Sequence, residues 1–279
     1  MFGKLLKHEF RATGRIMLPL LGGVLVLSPM AGLLSRSVSR GNASGIMRFF
    51  SFLFMFAFVV GMVALFVTAV IVMVRRFYSN MLGDEGYLTF TLPVGVNRLV
   101  LAKLVVSFVW FMAAAAAAAA AGAIAAKTYY SGSDWSRVWS FIGECFRLVG
   151  VGNGMLYVIE MLLMLFLMSC SVCLHFYAAM ALGNCFANKK VFLSICFFVL
   201  LSIVMGWIEF ALLSGSGQKG LLYSVNQFYD IWLNGLKPAQ AYAAIPHTIL
   251  LSGSVYFLII SAVYYIPTVL PLKKKLNLS

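Results

Sequence analysis

Residues 75–103 read RRFYSNMLGDEGYLTFTLPVGVNRLVLAK, and this stretch decides how the rest of the chain is interpreted. It is dense in charge, glycine and proline, whereas the chain around it is mostly apolar. It lies between two apolar segments that are each long enough to cross a bilayer, so it has to emerge from the membrane between them. Acidic residues next to aromatic and apolar ones predict a surface that docks against a partner.

The composition of the chain is that of a membrane protein. Of its 279 residues, 62% are hydrophobic and 10% are charged, and the mean hydropathy is +0.97. Soluble domains are about 25% charged. A soluble fold of this length could not hide so much apolar surface, so the expected solvent is lipid.

The net charge of +13 would suggest nucleic acid as the partner of a soluble protein. Here the basic residues stand largely at the ends of apolar runs, where membrane topology and anionic lipid headgroups explain them. We therefore expect membrane lipid, and no nucleic acid, as a partner.

Six apolar runs reach the length of about 20 residues that a spanning helix needs. Because lipid offers no hydrogen-bond partner to an open backbone, the predicted fold class is an all-α integral membrane protein. The N-terminal section is predicted at residues 1–15 and the transmembrane domain at 16–279. The predicted spans are 16–34, 49–74, 99–126, 155–182, 191–213 and 249–270.

The distribution of lysine and arginine predicts that both termini are cytoplasmic. With that orientation the inner segments carry twelve basic residues, namely Lys4, Lys7, Arg11, Arg15, Arg75, Arg76, Arg98, Lys189, Lys190, Lys273, Lys274 and Lys275. The outer segments carry eight, namely Arg36, Arg40, Arg48, Lys127, Arg137, Arg147, Lys219 and Lys237. Lys103 falls just inside the third span.

The first ten residues predict a short amphipathic helix on the inner leaflet. Phe2, Leu5, Leu6 and Phe10 share one face, and basic residues including Lys7 share the other. Glu9 falls on the apolar face, where an acid needs a partner. We expect that partner at the cytoplasmic ends of other helices or on another subunit.

Two segments outside the predicted spans are also apolar at helical spacing. Residues 135–149 and 221–236 each place tryptophan among the apolar positions, which predicts helices that lie on the outer leaflet or re-enter it. They either anchor the chain at the interface or cap a translocation path.

Residues 113–121 are nine consecutive alanines in the third span. Small residues allow the backbones of two helices to approach closely. The run therefore predicts either tight packing inside the chain or a dimer seam.

Polar residues within the spans are the remaining candidates for function. Glu160 and Glu209 lie near the predicted outer ends of two spans. They either reach for the interface or are protonated, or they line an outer gate or substrate path. His175, beside Tyr177, is interpreted as a hydrogen-bonded packing residue. Cys170 and Cys173 have a C-x-x-C spacing in mid-helix, where small buried hydrophobes are expected rather than a metal site.

The sequence contains no G-x-x-x-x-G-K-[S/T] phosphate loop and no catalytic or metal-binding motif that we can identify. We expect no catalytic residue, no metal and no cofactor in this chain. If ATP drives this protein, another polypeptide binds it.

These features resemble the membrane subunit of type-2 ATP-binding-cassette (ABC) exporters, particularly the permeases of Gram-positive bacteria. That family has an amphipathic N-terminal helix, six spans and a cytoplasmic coupling helix between the second and third spans. The residues that carry the resemblance run from Arg76-Phe77-Tyr78 to Pro93-Val94, and Asn97-Arg98 fits the start of the third span. The resemblance implies an ATPase-coupling role for Asn80, Gly83, Asp84, Glu85, Gly86, Tyr87, Thr89, Thr91, Leu92 and Pro93.

The resemblance also implies partners and a mechanism. Two permease subunits, identical or paired, associate with two cytoplasmic ATPases that hold ATP and Mg²⁺ and dock at residues 80–94. The N-terminal residues Lys7, Glu9 and Phe10 act as a lever in such a permease. An amphipathic, peptide, drug or lipid-like substrate is then exported across a bacterial cell membrane.

Two other functions remain open from the sequence. The first is an integral-membrane enzyme that modifies lipid, for which Glu160, Glu209, His175 and Tyr177 are the candidate residues. The second is a membrane sensor or assembly subunit that binds a partner at residues 80–94 without transporting anything.

Overall fold

Long helices account for almost all of the described chain. The computed structural model describes residues 2–41, 44–83, 86, 95–130, 136–137, 139–140, 143, 154–186, 189–214 and 238–274, without the side chains of Glu209 and of several residues at helix ends. The long helices within these ranges are α1 (Phe2–Ser39), α2 (Gly45–Met81), α3 (Val96–Tyr129), α4 (Gly154–Gly183), α5 (Lys190–Ser214) and α6 (Pro238–Lys274).

All six of these helices are long and apolar enough to cross a membrane. Each of the six predicted spans lies inside one of these helices. Where the bilayer begins and ends along each helix stays a prediction. At 1.5 Å per residue, the 38 residues of α1 extend about 57 Å, which exceeds a hydrocarbon core of about 30 Å. These helices indicate a multi-pass membrane protein.

The N-terminal residues do not form a separate helix, which corrects one prediction. α1 runs without interruption from Phe2 to Ser39 and joins the amphipathic stretch to the first span. The basic residues Arg11 and Arg15 separate the two regions by hydropathy only, because arginine is a good helix former. The residues predicted as a lever are therefore rigidly continuous with the first span.

Proline inside α1 is accommodated by a neighbouring hydroxyl. Pro29 has no backbone N–H, so the carbonyl of Leu25 loses its usual helical donor. The fully buried Ser28 donates its hydroxyl to that carbonyl at 2.8 Å. This bond satisfies a polar group that lipid could not.

The chain divides into two compact units, and the first contains Met1–Arg76 and Asn97–Leu148. Its core is built where α1, α2 and α3 meet. The buried residues recur at intervals of mostly three, four or seven, as expected for packed helices. They are Met17, Val24, Ala31, Phe58, Leu65, Ala69, Met73, Val106, Trp110, Ala114, Ala117 and Ala121.

The alanine run packs inside the chain along one of its faces. Ala114, Ala117 and Ala121 belong to the buried core, which supports the packing interpretation of the run. Further along α3, the helix approaches α1 so closely that a Cβ atom built on Gly32 would overlap the Ala125 carbonyl oxygen and the Thr128 hydroxyl. Only glycine fits at this crossing without displacing backbone.

We predict that Gly32→Ala destabilises the protein by about 1–3 kcal/mol, because the added methyl group forces α1 away from α3. The measurement is the unfolding midpoint in mixed detergent–SDS micelles. Gly23→Ala, on the same helix, is the matched control. A Cβ atom at Gly23 would have no neighbouring atom within 4 Å. Equal midpoints for the two variants would contradict the close crossing.

The second unit contains Phe77–Val96 and Val149–Ser279. Within it, α4 packs against α5 at their connection, where a Cβ on Gly183 would lie 2.7 Å from the Cα atom of Ser194. The last turn of α2 also belongs to this unit, and its Phe77 ring stacks on Tyr177 of α4 with centroids 3.9 Å apart. Cys170 and Cys173 are both buried on α4, as predicted.

Candidate functional site

Three of the ten residues predicted to couple to an ATPase lie in the described part of the chain. Asn80 is half-buried in the last turn of α2, Gly83 follows the helix, and Gly86 is buried. The other predicted coupling residues lie outside the described part of the chain. They are Asp84, Glu85, Tyr87, Thr89, Thr91, Leu92 and Pro93.

The turn that leads out of α2 is held by backbone hydrogen bonds. The N–H groups of Leu82 and Gly83 both donate to the carbonyl of Tyr78, at 2.9 and 2.8 Å, and the N–H of Gly86 donates to Gly83 at 2.8 Å. A Cβ on Gly83 would stand 3.1 Å from the Ser79 carbonyl oxygen, so the turn leaves little room for a side chain. The beginning of the predicted coupling stretch is thus fixed to α2.

A buried ion pair joins α1 to α3. The Nζ atom of Lys103 lies 2.8 Å from Glu9 Oε1, and both side chains are 6% exposed. Lys103 also donates to the backbone carbonyl of Arg76 in α2 at 3.4 Å. The ammonium group of α3 therefore contacts both α1 and α2, and the prediction that Glu9 finds its partner on another helix is confirmed.

The surroundings of this ion pair fix its position. Thr13 donates its hydroxyl to the Glu9 carbonyl at 2.9 Å, and the indole of Trp110 donates to the Thr13 hydroxyl at 2.7 Å. The ring of Phe10 lies against Trp110, with centroids 6.2 Å apart. Of the residues predicted as a lever, Glu9 and Phe10 thus pack against α3, whereas Lys7 is exposed.

We predict that removing one partner of the Glu9–Lys103 pair lowers stability by about 3–5 kcal/mol, because the other charge stays buried without compensation. Glu9→Leu and Lys103→Met are the single variants, and their unfolding midpoints in mixed micelles are compared. The double variant regains most of the loss because it buries no charge. Lys7→Met, at an exposed basic position on the same helix, is the control and leaves the midpoint nearly unchanged.

An additive loss in the double variant would show that the two side chains do not interact in the folded protein.

A hydrogen-bonded acid–histidine pair lies in the other unit and joins α4 to α6. Glu160 Oε2 is 2.7 Å from His247 Nδ1, with side chains 10% and 17% exposed. The imidazole also stacks on Tyr157, with centroids 3.9 Å apart and ring planes at 18°. Tyr157 and Glu160 are three residues apart on α4, so both partners of His247 lie on one face of that helix.

Glu160 is therefore bonded to a side chain of another helix. Its predicted reach for the interface, or its protonation, stays a prediction. Its role in a gate or substrate path stays a prediction. The side chain of Glu209, predicted alongside it, lies outside the described part of the structure.

We predict that His247→Phe destabilises the protein more than Glu160→Gln does. The phenylalanine keeps a ring on Tyr157 but leaves the carboxylate without its hydrogen bond, which is worth about 1.5–3 kcal/mol for a charged group. Glutamine at position 160 removes the charge and still accepts from the imidazole. The unfolding midpoints of the two variants are measured in the same micelles, and the reverse order would contradict the geometry.

His175 is a packing residue with a hydrogen bond, as predicted. Its Nε2 atom lies 3.0 Å from the Ser202 hydroxyl, which itself donates to the Phe198 carbonyl. The ring meets Phe198 and Tyr264 edge-on, with centroids 4.6 and 4.8 Å away. Its neighbour Tyr177 contacts Phe77 instead, so the two residues do not form one polar cluster.

Lys103 and His247 are the members of these pairs that sequence reasoning did not single out. Lys103 carried a signal, because a lone lysine inside an apolar span needs an acid and Glu9 lay on an apolar face. His247 stands two residues before the predicted sixth span, and no pattern in the sequence linked it to Glu160. In the described residues, no group of three histidine, cysteine or acidic side chains comes together as a metal site would require.

The comparisons with known proteins add no relative, since no protein-family model, curated protein or solved structure matches the chain.

Proposed function

We propose that this chain is the membrane subunit of an ATP-driven exporter of the type-2 ABC class, with ATP hydrolysed by a separate cytoplasmic subunit. The observation that carries the proposal is the polar stretch at 80–94, which resembles the coupling element of that class and lies between two long spanning helices. The hydrogen-bonded turn at Leu82 and Gly83 supports it, because a force-transmitting element needs a fixed connection to a span.

The roles of individual residues follow from this proposal. Asp84 and Glu85 dock against the ATPase, and the backbone from Asn80 to Gly86 carries the load into α2. Glu9 and Phe10 tie the N-terminal part of α1 to α3, so the lever and the third span move together. Both termini are cytoplasmic in this arrangement, in a bacterial cell membrane. The proposed cargo is amphipathic, peptide, drug-like or lipid-like.

Co-purification from the native host tests the proposal. The tagged chain is extracted in mild detergent, and we expect a soluble ATPase with a phosphate-binding loop to accompany the wild type. Glu85→Arg should reduce the recovered ATPase at least about tenfold, because a charge reversal at an interface costs several kcal/mol. Lys127→Glu is the control, since it reverses an exposed charge at the opposite end of α3.

Failure to recover an ATPase with the wild type would count against the exporter. Equal recovery of an ATPase with the wild type and with Glu85→Arg would count against Glu85 as the docking residue.

A lipid-modifying membrane enzyme is the second candidate function, and the Glu160–His247 pair favours it. A carboxylate that holds one imidazole nitrogen leaves the other free to accept a proton, as in many general bases. If no ATPase accompanies the wild type, incubation of the purified protein with radiolabelled phospholipid is the next assay. Loss of turnover in Glu160→Gln would then support the enzyme.

A further inference from the structure

The last turn of α2 is buried against α4 within the second unit. Phe77 and Met81 are fully buried, and the ring of Phe77 stacks on Tyr177 with planes at 7°. Tyr177 is itself 1% exposed. An aromatic pair contributes stability beyond the apolar area that it buries.

A continuous set of contacts leads from the predicted coupling stretch to this stack. Gly86 is hydrogen-bonded to Gly83, and the N–H of Gly83 is bonded to Tyr78, the residue after Phe77. Residues 77–83 and 86 group with the second unit, whereas α2 up to Arg76 groups with the first. The end of α2 therefore packs with α4 in the second unit.

α4 in turn is joined to α6 at several depths. Ser261 donates its hydroxyl to the Leu167 carbonyl at 3.4 Å, and Tyr264 meets the edge of His175. Further along α4, Glu160 is hydrogen-bonded to His247 of α6. A displacement of α4 at Tyr177 is consequently shared with α6.

We infer that the Phe77–Tyr177 stack is the mechanical link that passes a load from the end of α2 to α4 and through it to α6. The inference rests on the proposed function for the source of the load, which is the docked ATPase. Phe77 and Tyr177 are positioning residues in this mechanism. Neither has to touch substrate or ATP.

Hydrogen exchange of the full chain in lipid nanodiscs tests the link without any ATPase. Gly83→Val strains the turn, since its Cβ would press on the Ser79 carbonyl. We expect this change to speed amide exchange at residues 174–183 by about tenfold in the wild-type background, because the strain reaches α4 and opens it locally. Gly83→Ala, a smaller addition, should produce a smaller effect in the same peptides.

The same strain is then applied where the stack is absent. In a Tyr177→Leu background, Gly83→Val should leave exchange at 174–183 within about twofold of Tyr177→Leu alone, because the coupling between the sites is lost. Tyr177→Phe keeps the ring and should restore the response. Phe186→Leu, which removes a ring from an exposed aromatic pair in the same unit, should not abolish it.

The link would be overturned if Gly83→Val changed exchange at residues 174–183 equally with leucine and with tyrosine at position 177. It would also be overturned if Gly83→Val changed exchange there in neither background. A merely structural stack would lower stability in Tyr177→Leu while leaving the response to Gly83→Val intact.

The outcome is separable from that of the exporter proposal. A recovered ATPase with no stack-dependent response would leave the exporter standing and remove the link. A stack-dependent response with no ATPase would establish the link and remove its proposed driver. If the ATPase is recovered and the response depends on the stack, we expect Mg-ATP to change amide exchange at residues 174–183 of the wild-type complex. Tyr177→Leu should still bind the ATPase but should lose this change in exchange.

Discussion

The structure depends on one constraint, which is that the interior of a membrane offers no hydrogen-bond partner to a buried polar group. In this chain the constraint is met by pairing within the protein. Lys103 neutralises Glu9 and reaches a backbone carbonyl of α2, and His247 bonds Glu160. Ser28 supplies the donor that Pro29 lacks. The contacts of Lys103 and His247 also join different helices, so these polar groups help to determine which helices stay together within a unit.

Hydropathy predicted the helices because it acts locally. Each span is a run of apolar residues long enough to cross the bilayer, and its position could be read without knowing what packs against it. The pairs were harder, because Glu9 and Lys103 are 94 residues apart and Glu160 and His247 are 87 apart. No periodicity connects such distant positions. The sequence could show that Glu9 needed a partner, but only the packing of α1 on α3 identified Lys103.

The error at the N-terminus has the same origin. A change from amphipathic to apolar sequence between residues 11 and 16 suggested two helices, yet hydropathy reports the solvent around a helix and not its continuity. A break requires proline, a glycine-rich turn or lost backbone bonds, and Gly14 alone costs only about 1 kcal/mol. Its position is also useful, since a Cβ there would lie 3.6 Å from Trp110, the residue that holds Thr13 and thereby Glu9. Continuity of α1 follows from propensity and tertiary contact together.

Acidic residues are scarce enough to narrow where a partner can dock. In the predicted orientation, the cytoplasmic segments contain three acids, Glu9, Asp84 and Glu85, among twelve basic residues. Glu9 is already paired with Lys103 inside the first unit. A partner that recognises negative charge on the predicted cytoplasmic segments therefore has Asp84 and Glu85 as its targets, because the other charges of these segments are mostly positive. Such contrast favours one docking position over others, because a misplaced partner meets lysine and arginine instead. The same buried pair that stabilises α1 thus leaves the acidic stretch after α2 as the distinctive electrostatic feature of the proposed docking face.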